Sequence, residues 1–566
     1  MKASDRLRIR YVYFLFIFSF LIISARIIYL QVFRQKFLQN LAHSQYYRLI
    51  PLEGKRGKIF DGRNRVIATT INSYSIFADP SLIKNPDEVA RILSVSLKLP
   101  YAPIQQRVSK KKRFVWIKRK VSWSEKEKIK ALKIKGVGFL REGKRFYPQE
   151  ALAASLLGLV DIDNKGLDGL ELYYDKYLCG KNGLARVLQD SRAREVLISP
   201  QIIAPKAGAD VTLTIDAQIQ YGVENYLDEI IKKFGATEGG AVVMNAENGE
   251  ILALANYPFY NPNDLSGYSV DARRNRAVCD MFEPGSVFKE VTLLAAIESN
   301  KFSDEQIIFC ENGSFKIPGS TLHDWKPYGN LTFKEVFKKS SNIGIAKIAS
   351  SLGKDAMYRC MRKLGFGEKT GIDLPGEVTG NIKPPSAWSK TSSFIMPIGQ
   401  EVGVNLLQLA RSFAVVANGG YLVKPHIVKS INSPFFSKNA VVERRRVVSE
   451  AVASRAKNIL IAVVEDGTGV RARVEGLTIG GKTGTAQQFD PKIGRYSATD
   501  YRASFVGFVS NTQPPIVIAV TVYEPKKSHF GGVVAAPLFK KIAEKTARYL
   551  ESERMFNRDR IAPRDE

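Results

Sequence analysis

Apolar positions follow different rhythms in different parts of this chain. Between residues 11 and 25 they are continuous and uncharged, and after Arg26 they resume from residue 27 to 32. A membrane span needs about twenty apolar residues, a length this run reaches when Arg26 snorkels to an interface. Lys2, Arg6, Arg8 and Arg10 precede it, so the positive-inside rule leaves the N-terminus in the cytoplasm and exports the rest. A cleaved signal peptide is the competing reading, with Ser24-Ala25 imitating a small-residue cleavage site.

Residues 34 to 210 mix lysines with short hydrophobic stretches, which predicts an elongated α+β pedestal. From Val211 the pattern sharpens. Ala241-Val242-Val243-Met244, a turn at Glu247-Asn248-Gly249 and Ile251-Leu252-Ala253-Leu254 predict a hairpin. Residues 503–509 and 516–523 read as adjoining strands, and 539–550 as a helix. The charged stretch from Glu551 is expected to fray. The expected blocks are therefore 1–33, tail and anchor; 34–210, pedestal; 211–550, a second domain; and 551–566, a charged tail.

A net charge of +29 and a sequence pI of 9.7 raise the question of nucleic acid. The anchor and the lack of any nucleic-acid module argue against it. Runs such as Lys110-Lys111-Lys112-Arg113 and Arg444-Arg445-Arg446 read as solvated faces. Attraction to anionic lipid headgroups or wall polymers is the sharper alternative, and it requires binding that weakens as salt rises. Cys179, Cys279, Cys310 and Cys360 allow three full pairings in an oxidising compartment. No metal-ligand spacing is present, no cofactor is implied, and His43, His323, His426 and His529 read as structural. His323 and His529 are expected near a cleft.

The chemistry lies in three short motifs in order: Ser286-Val287-Phe288-Lys289, Ser340-Ser341-Asn342 and Lys482-Thr483-Gly484. Residues three apart on a helix share a face, so Lys289 should bring its amine near Ser286 Oγ. A lysine serves as a base only when its pKa falls well below about 10.4. Burial and a second cation, Lys482, both push it down.

The set resembles the S-x-x-K, S-x-N and K-T-G motifs of the penicillin-binding and β-lactamase fold. That likeness implies a central antiparallel sheet with helices on both sides, and a covalent acyl-enzyme on Ser286. It further implies that Ser340 relays protons to the leaving amine and that Asn342 holds Lys289 and the substrate amide. Lys482 and Thr483 would bind the donor carboxylate, and Gly484 would let its strand approach the substrate. The N–H groups of Thr485 and Ser286 would form the oxyanion hole.

Flanking residues narrow the resemblance to class B penicillin-binding proteins. They include Phe282-Glu283-Pro284-Gly285, Asp466-Gly467-Thr468-Gly469, Leu213-Thr214-Ile215-Asp216, Tyr260-Asn261-Pro262-Asn263, Asp373-Leu374-Pro375-Gly376-Glu377 and the 531–537 segment. Arg56-Gly57-Lys58-Ile59-Phe60-Asp61, Arg145-Phe146-Tyr147-Pro148 and Gly166-Leu167-Asp168-Gly169-Leu170-Glu171 resemble the non-catalytic module, whose residues tie it to the transpeptidase domain. The signature of glycan-polymerising relatives, E-D-x-x-F-x-x-H-x-G, is absent. The likeness implies a D,D-transpeptidase of the inner membrane that cross-links stem peptides, binds β-lactams and works with a SEDS-family glycan polymerase and other division proteins.

The Pro-Gly-Ser entry and the K-T-G lean to the septal branch over the elongation branch. A D,D-carboxypeptidase or β-lactamase, a β-lactam sensor and a division scaffold remain as alternatives. Asn405, where many relatives carry Thr, departs from the pattern.

Overall fold

The computed structural model describes residues 3–39, 47–189, 195–490 and 495–561. The chain forms two compact units, one from Met1–Lys55 with Gly180–Gly208 and one from Arg56–Cys179 with Ala209–Glu566. In the first, helix Ala3–Ile28 runs without a break through Arg26 and ends in a π turn, Tyr29–Phe33. An 18-residue stretch within residues 6–33 has a mean hydropathy of 2.1 and no buried residue, which suits a single membrane span. Strands Tyr47–Leu52, Gly183–Gln189 and Glu195–Ile203 make an antiparallel sheet. His43 lies outside the described residues.

The second unit joins most of the expected pedestal to the catalytic fold. Its seven-stranded sheet takes Ile59–Phe60, Val66–Ala78, Val115–Val121 and Val137–Phe146 from the pedestal side, and Val428–Ser433 and Phe436–Asn439 from the other. Asp210–Leu213 lies between them, parallel to Ile59–Phe60 and antiparallel to Val428–Ser433. Strand pairing thus runs across residue 210, although one boundary between the two units also falls beside it, between Gly208 and Ala209.

Of the motifs expected to tie the two blocks, Arg56, Arg145 and Glu171 instead hold the 34–210 block together, while Asn263 and Asp373 reach across to it. Arg56 and Arg145 converge on Glu171, with Nε–Oε distances of 2.7 and 2.6 Å. Asn263 exchanges two hydrogen bonds with the Tyr147 backbone, at 3.0 and 2.8 Å. Asp373 accepts from Tyr174 Oη at 2.8 Å and from the N–H groups of Ile427 and Val428.

The catalytic core is a five-stranded antiparallel sheet. Its strands are β1 (Glu238–Asn245), β2 (Ile251–Tyr257), β3 (Ile479–Asp490), β4 (Arg495–Val509) and β5 (Ile516–Tyr523), in the order β2-β1-β5-β4-β3. Alternate side chains leave a strand on opposite faces, and both faces here are apolar. Ala241 and Val243 pack with helices α1 (Ala217–Phe234) and α7 (Gly531–Ile561), whereas Val242 and Met244 join the core that holds α2 (Lys289–Glu298) and α5 (Leu406–Ala417). The expected hairpin and the two late strands are present. The last helix starts earlier than 539 and runs through the charged stretch to Ile561, so the expected fraying from Glu551 is not seen.

Asn405 caps α5. Its side chain accepts from Gln408 N, and Gln408 answers at the Asn405 N–H in a capping box. Asn and Thr are both good caps, so this departure conserves the helix start. Cys279, Cys310 and Cys360 carry free thiols, the last two buried.

Candidate active site

The nucleophile candidate sits on a tight, glycine-dependent entry to α2. Gly285 has φ +55°, and its N–H donates to Gly399 O at 3.1 Å. Gly399 has φ +86°, and a Cβ there would fall 2.1 Å from Gly285 O, so both positions demand glycine. A 3₁₀ turn, Gly285–Phe288, then leads into the helix. Three residues per turn place Ser286 and Lys289 on one face.

Lys289 is fully buried and aims at the second motif. Its Nζ lies 2.8 Å from Ser340 O, 3.1 Å from Ser340 Oγ and 2.7 Å from Asn342 Oδ1. Three acceptors match the three protons of an ammonium. The amine is thus drawn to Ser340 and Asn342, and the expected pairing with Ser286 Oγ is not among the described hydrogen bonds. Ser340 holds this position in a left-handed conformation, φ +59°.

Lys482 Nζ reaches Ser340 Oγ from the other side, at 2.9 Å. One hydroxyl is therefore bracketed by two buried amines. Burial lowers Lys289 to about 7, against a smaller opposing pull from Asp324. Burial, then the charge of Lys289, drive Lys482 well below its ordinary value. Thr483 Oγ1 bonds Thr468 Oγ1 at 3.2 Å, joining the third motif to the Asp466-Gly467-Thr468-Gly469 turn. Thr485 Oγ1 accepts from Gly531 N at 3.0 Å. His529, two residues earlier, stacks on Tyr501 with centroids 4.2 Å apart. His323 also lies at the site, through its carbonyl on Asn342 Nδ2 at 2.9 Å.

β3 is an edge strand of the sheet, so half of its backbone donors are not spent on β4. Gly484 has a packing reason beside the expected one. A Cβ there would lie 2.7 Å from Val287 Cγ2 and 2.9 Å from Pro284 O. The residue lets β3 close on the turn that carries Ser286. Gly484→Ala is expected to push the two apart and slow penicillin acylation about a hundredfold, the scale of an ångström misplacement. Stopped-flow labelling checks it, and an unchanged rate would remove this role.

Sequence reasoning missed Asp324. Its carboxylate accepts from Ser341 Oγ at 2.6 Å, from Ile343 N at 3.1 Å and from Asn342 N. It thereby fixes the start of helix Asn342–Leu352 and aims Asn342 Oδ1 at Lys289. No pattern marks it, because it caps a helix from another segment. Glu283 belongs to the Phe282-Glu283-Pro284-Gly285 flank, but its contacts could not be read from that motif. It accepts from Tyr496 Oη at 3.0 and 3.1 Å and from Glu401 N at 2.9 Å, steadying the approach to Ser286. Volume alone does not mark the site: a cavity of about 610 Å³ opens elsewhere, among Asp168, Arg273, Cys279 and Pro375.

A sheet of this order with this cleft defines a transpeptidase of the penicillin-binding type. Residues 239–544 match the family described as penicillin binding protein transpeptidase domain, and residues 51–213 match the penicillin-binding protein dimerisation domain. The chain belongs to the class B penicillin-binding proteins and is a serine-type peptidoglycan D,D-transpeptidase.

It is 35% identical over 541 residues to the probable peptidoglycan D,D-transpeptidase PbpC of Pseudomonas aeruginosa, covering 95% of this chain and 94% of that one. It is 34% identical over 555 residues to stage V sporulation protein D of Bacillus subtilis, covering 95% and 85%. Penicillin binding protein 3 of Mycobacterium tuberculosis, solved with aztreonam, superposes with a TM-score of 0.69 at 30% identity, covering 88% of this chain and 97% of that one.

Proposed function

We propose that this transpeptidase cross-links the septal wall through an acyl-enzyme on Ser286. The observation that supports the chemistry is the buried Lys289–Ser340–Lys482 array beside that serine. Ser286 Oγ attacks the penultimate D-Ala carbonyl and gives its proton to neutral Lys289. The N–H groups of Ser286 and Thr485 hold the oxyanion. Ser340 passes a proton to the departing terminal D-Ala, and the amine of a neighbouring stem then resolves the acyl-enzyme. Lys482 and Thr483 receive the donor carboxylate, whose charge restores the proton on Lys482. Asn342 orients Lys289 and the substrate amide, and Gly484 sets the distance between β3 and the nucleophile.

Exposure to a fluorescent penicillin, followed by peptide mass spectrometry, should find a stable label on Ser286. Rapid loss of the label to water would favour a hydrolase, and a label elsewhere would sink the assignment. The base also fixes the pH profile. Protonated Lys289 cannot accept a proton, so acylation should rise about tenfold per pH unit below about 7 and level off above it. A flat profile from pH 5 to 9 would exclude Lys289.

The septal assignment rests on the Phe282-Glu283-Pro284-Gly285-Ser286 entry, Tyr260-Asn261-Pro262-Asn263 and K-T-G. Depletion should leave cells that elongate without dividing, and the converse phenotype would move the enzyme to the elongation branch. In this reading residues 1–33 anchor the chain with its N-terminus in the cytoplasm. Residues 34–210 and 211–550 serve as pedestal and catalytic domain, 551–566 as a tail, and the anchor and pedestal meet a SEDS-family polymerase and other division proteins.

A further inference from the structure

The three arginines of strand Arg444–Arg446 do not share one environment. Arg444 and Arg446 both lie over the Tyr421 ring, at 4.8 and 4.3 Å from its centroid. Arg445, on the opposite face, joins Arg362 from helix Lys354–Lys363 and Arg411 from α5. The Nη2 atoms of Arg362, Arg411 and Arg445 lie 3.7, 3.8 and 3.8 Å from a single carboxylate, Glu368. None of these distances is a hydrogen bond.

Arg411 is the informative member. It is only 7% exposed, Nε and Nη1 have no partner, and Nη2 has only the distant Glu368. A buried guanidinium left this way is costly unless something completes it. Burial also draws its pKa down, with Glu368 opposing and Arg445 adding to the effect. The cluster is nevertheless held in place. Arg362 Nη1 donates to Phe366 O at 2.8 Å and Arg445 Nη2 to Lys363 O at 3.3 Å. Gly365, at φ +81°, leaves room for the Arg411 guanidinium, which would sit 2.9 Å from a Cβ there. Three cations face one anion, and the next carboxylate, Glu377, is spent on Thr370 and Gly371.

We propose that Arg362, Arg411 and Arg445 form a site for a phosphate-type oxyanion, with Glu368 as an internal occupant that the ligand displaces. A carboxylate offers two oxygens and one charge to three forks. A phosphate offers a tetrahedral set of oxygens and up to two charges, and guanidinium geometry suits it. Glu368 is partly exposed, and its ion pairs among the described residues are the three long contacts to these arginines. None of these residues belongs to the cleft around Ser286. The phosphate comes either from solution or from a lipid headgroup.

The test uses the full chain in phosphatidylcholine nanodiscs, titrated calorimetrically with inorganic phosphate and inorganic diphosphate. Binding is expected, with Arg445→Ala weakening it about tenfold or more. Glu368→Gln, which removes the competing charge, should tighten it. A second set of discs containing phosphatidic acid, whose headgroup is a phosphate monoester unlike the diester of phosphatidylcholine, tests the lipid source without added phosphate by hydrogen exchange of the peptide carrying Glu368. Protection there that Arg445→Ala abolishes assigns the headgroup, and binding seen only on titration assigns the soluble anion. Penicillin labelling of Ser286 must persist in both variants as the measure of intact folding. Failure of all probes, or binding indifferent to both substitutions, overturns the proposal.

Discussion

Lys289→Met is expected to slow penicillin acylation of Ser286 about 10²- to 10⁴-fold, the usual worth of a positioned base. Methionine keeps the length and apolar stem of lysine, so the change removes the amine with little loss of packing. Stability should hold or rise, because a buried cation is exchanged for an apolar group and Lys482 loses a like-charged neighbour.

The pH dependence separates this from general damage. Lys289 has a native pKa of about 7 against about 10.4 unfolded, so the unfolded chain binds more protons between those values. Unfolding free energy of the parent should therefore gain on the variant as pH rises from about 7 to about 10. Stopped-flow labelling and urea titrations at several pH values measure both effects. A loss in rate smaller than about tenfold would assign the base elsewhere.

Glu171→Ala should destabilise the protein by about 3–5 kcal/mol, the cost of stranding a buried charge. Glu171 is fully buried and receives Nε of both Arg56 and Arg145, while Tyr147 Oη lies 3.4 Å away. Arg56 also donates to Glu171 O at 2.7 Å and Arg145 to Gly57 O at 2.6 Å, so neither guanidinium can turn to water without breaking backbone contacts. Glu171→Gln should cost less, since one acceptor oxygen remains. Urea unfolding followed by tryptophan fluorescence gives the number. Arg56 keeps Asp175, 2.6 Å from its Nη1, so a cost below about 1 kcal/mol would mean that Arg145 finds another partner.

Much of the site was legible because its chemistry is local in sequence. Ser286 and Lys289 share a turn, and Lys482, Thr483 and Gly484 are contiguous in a short motif. The convergence on Ser340 could be expected from family likeness, but its distances could not. What remained hidden acts across long separations. Asp324 caps a helix it does not belong to, and Gly484 answers to Val287 and Pro284, nearly two hundred positions earlier. The strand pairing across residue 210 was hidden for a similar reason: Ile59–Phe60 and Val428–Ser433, the neighbours of Asp210–Leu213, lie far from it in sequence.

That crossing strand bears on how the enzyme is handled in the laboratory. Asp210–Leu213 is covered on one side by Ile59–Phe60 and on the other by Val428–Ser433. A truncation beginning at residue 211 would strip the first neighbour and cut into the strand itself, leaving unpaired amides and carbonyls along an open margin. Such margins recruit other chains. A catalytic fragment prepared by the sequence boundary would therefore tend to aggregate, whereas one that keeps residues 56–179 retains the cover.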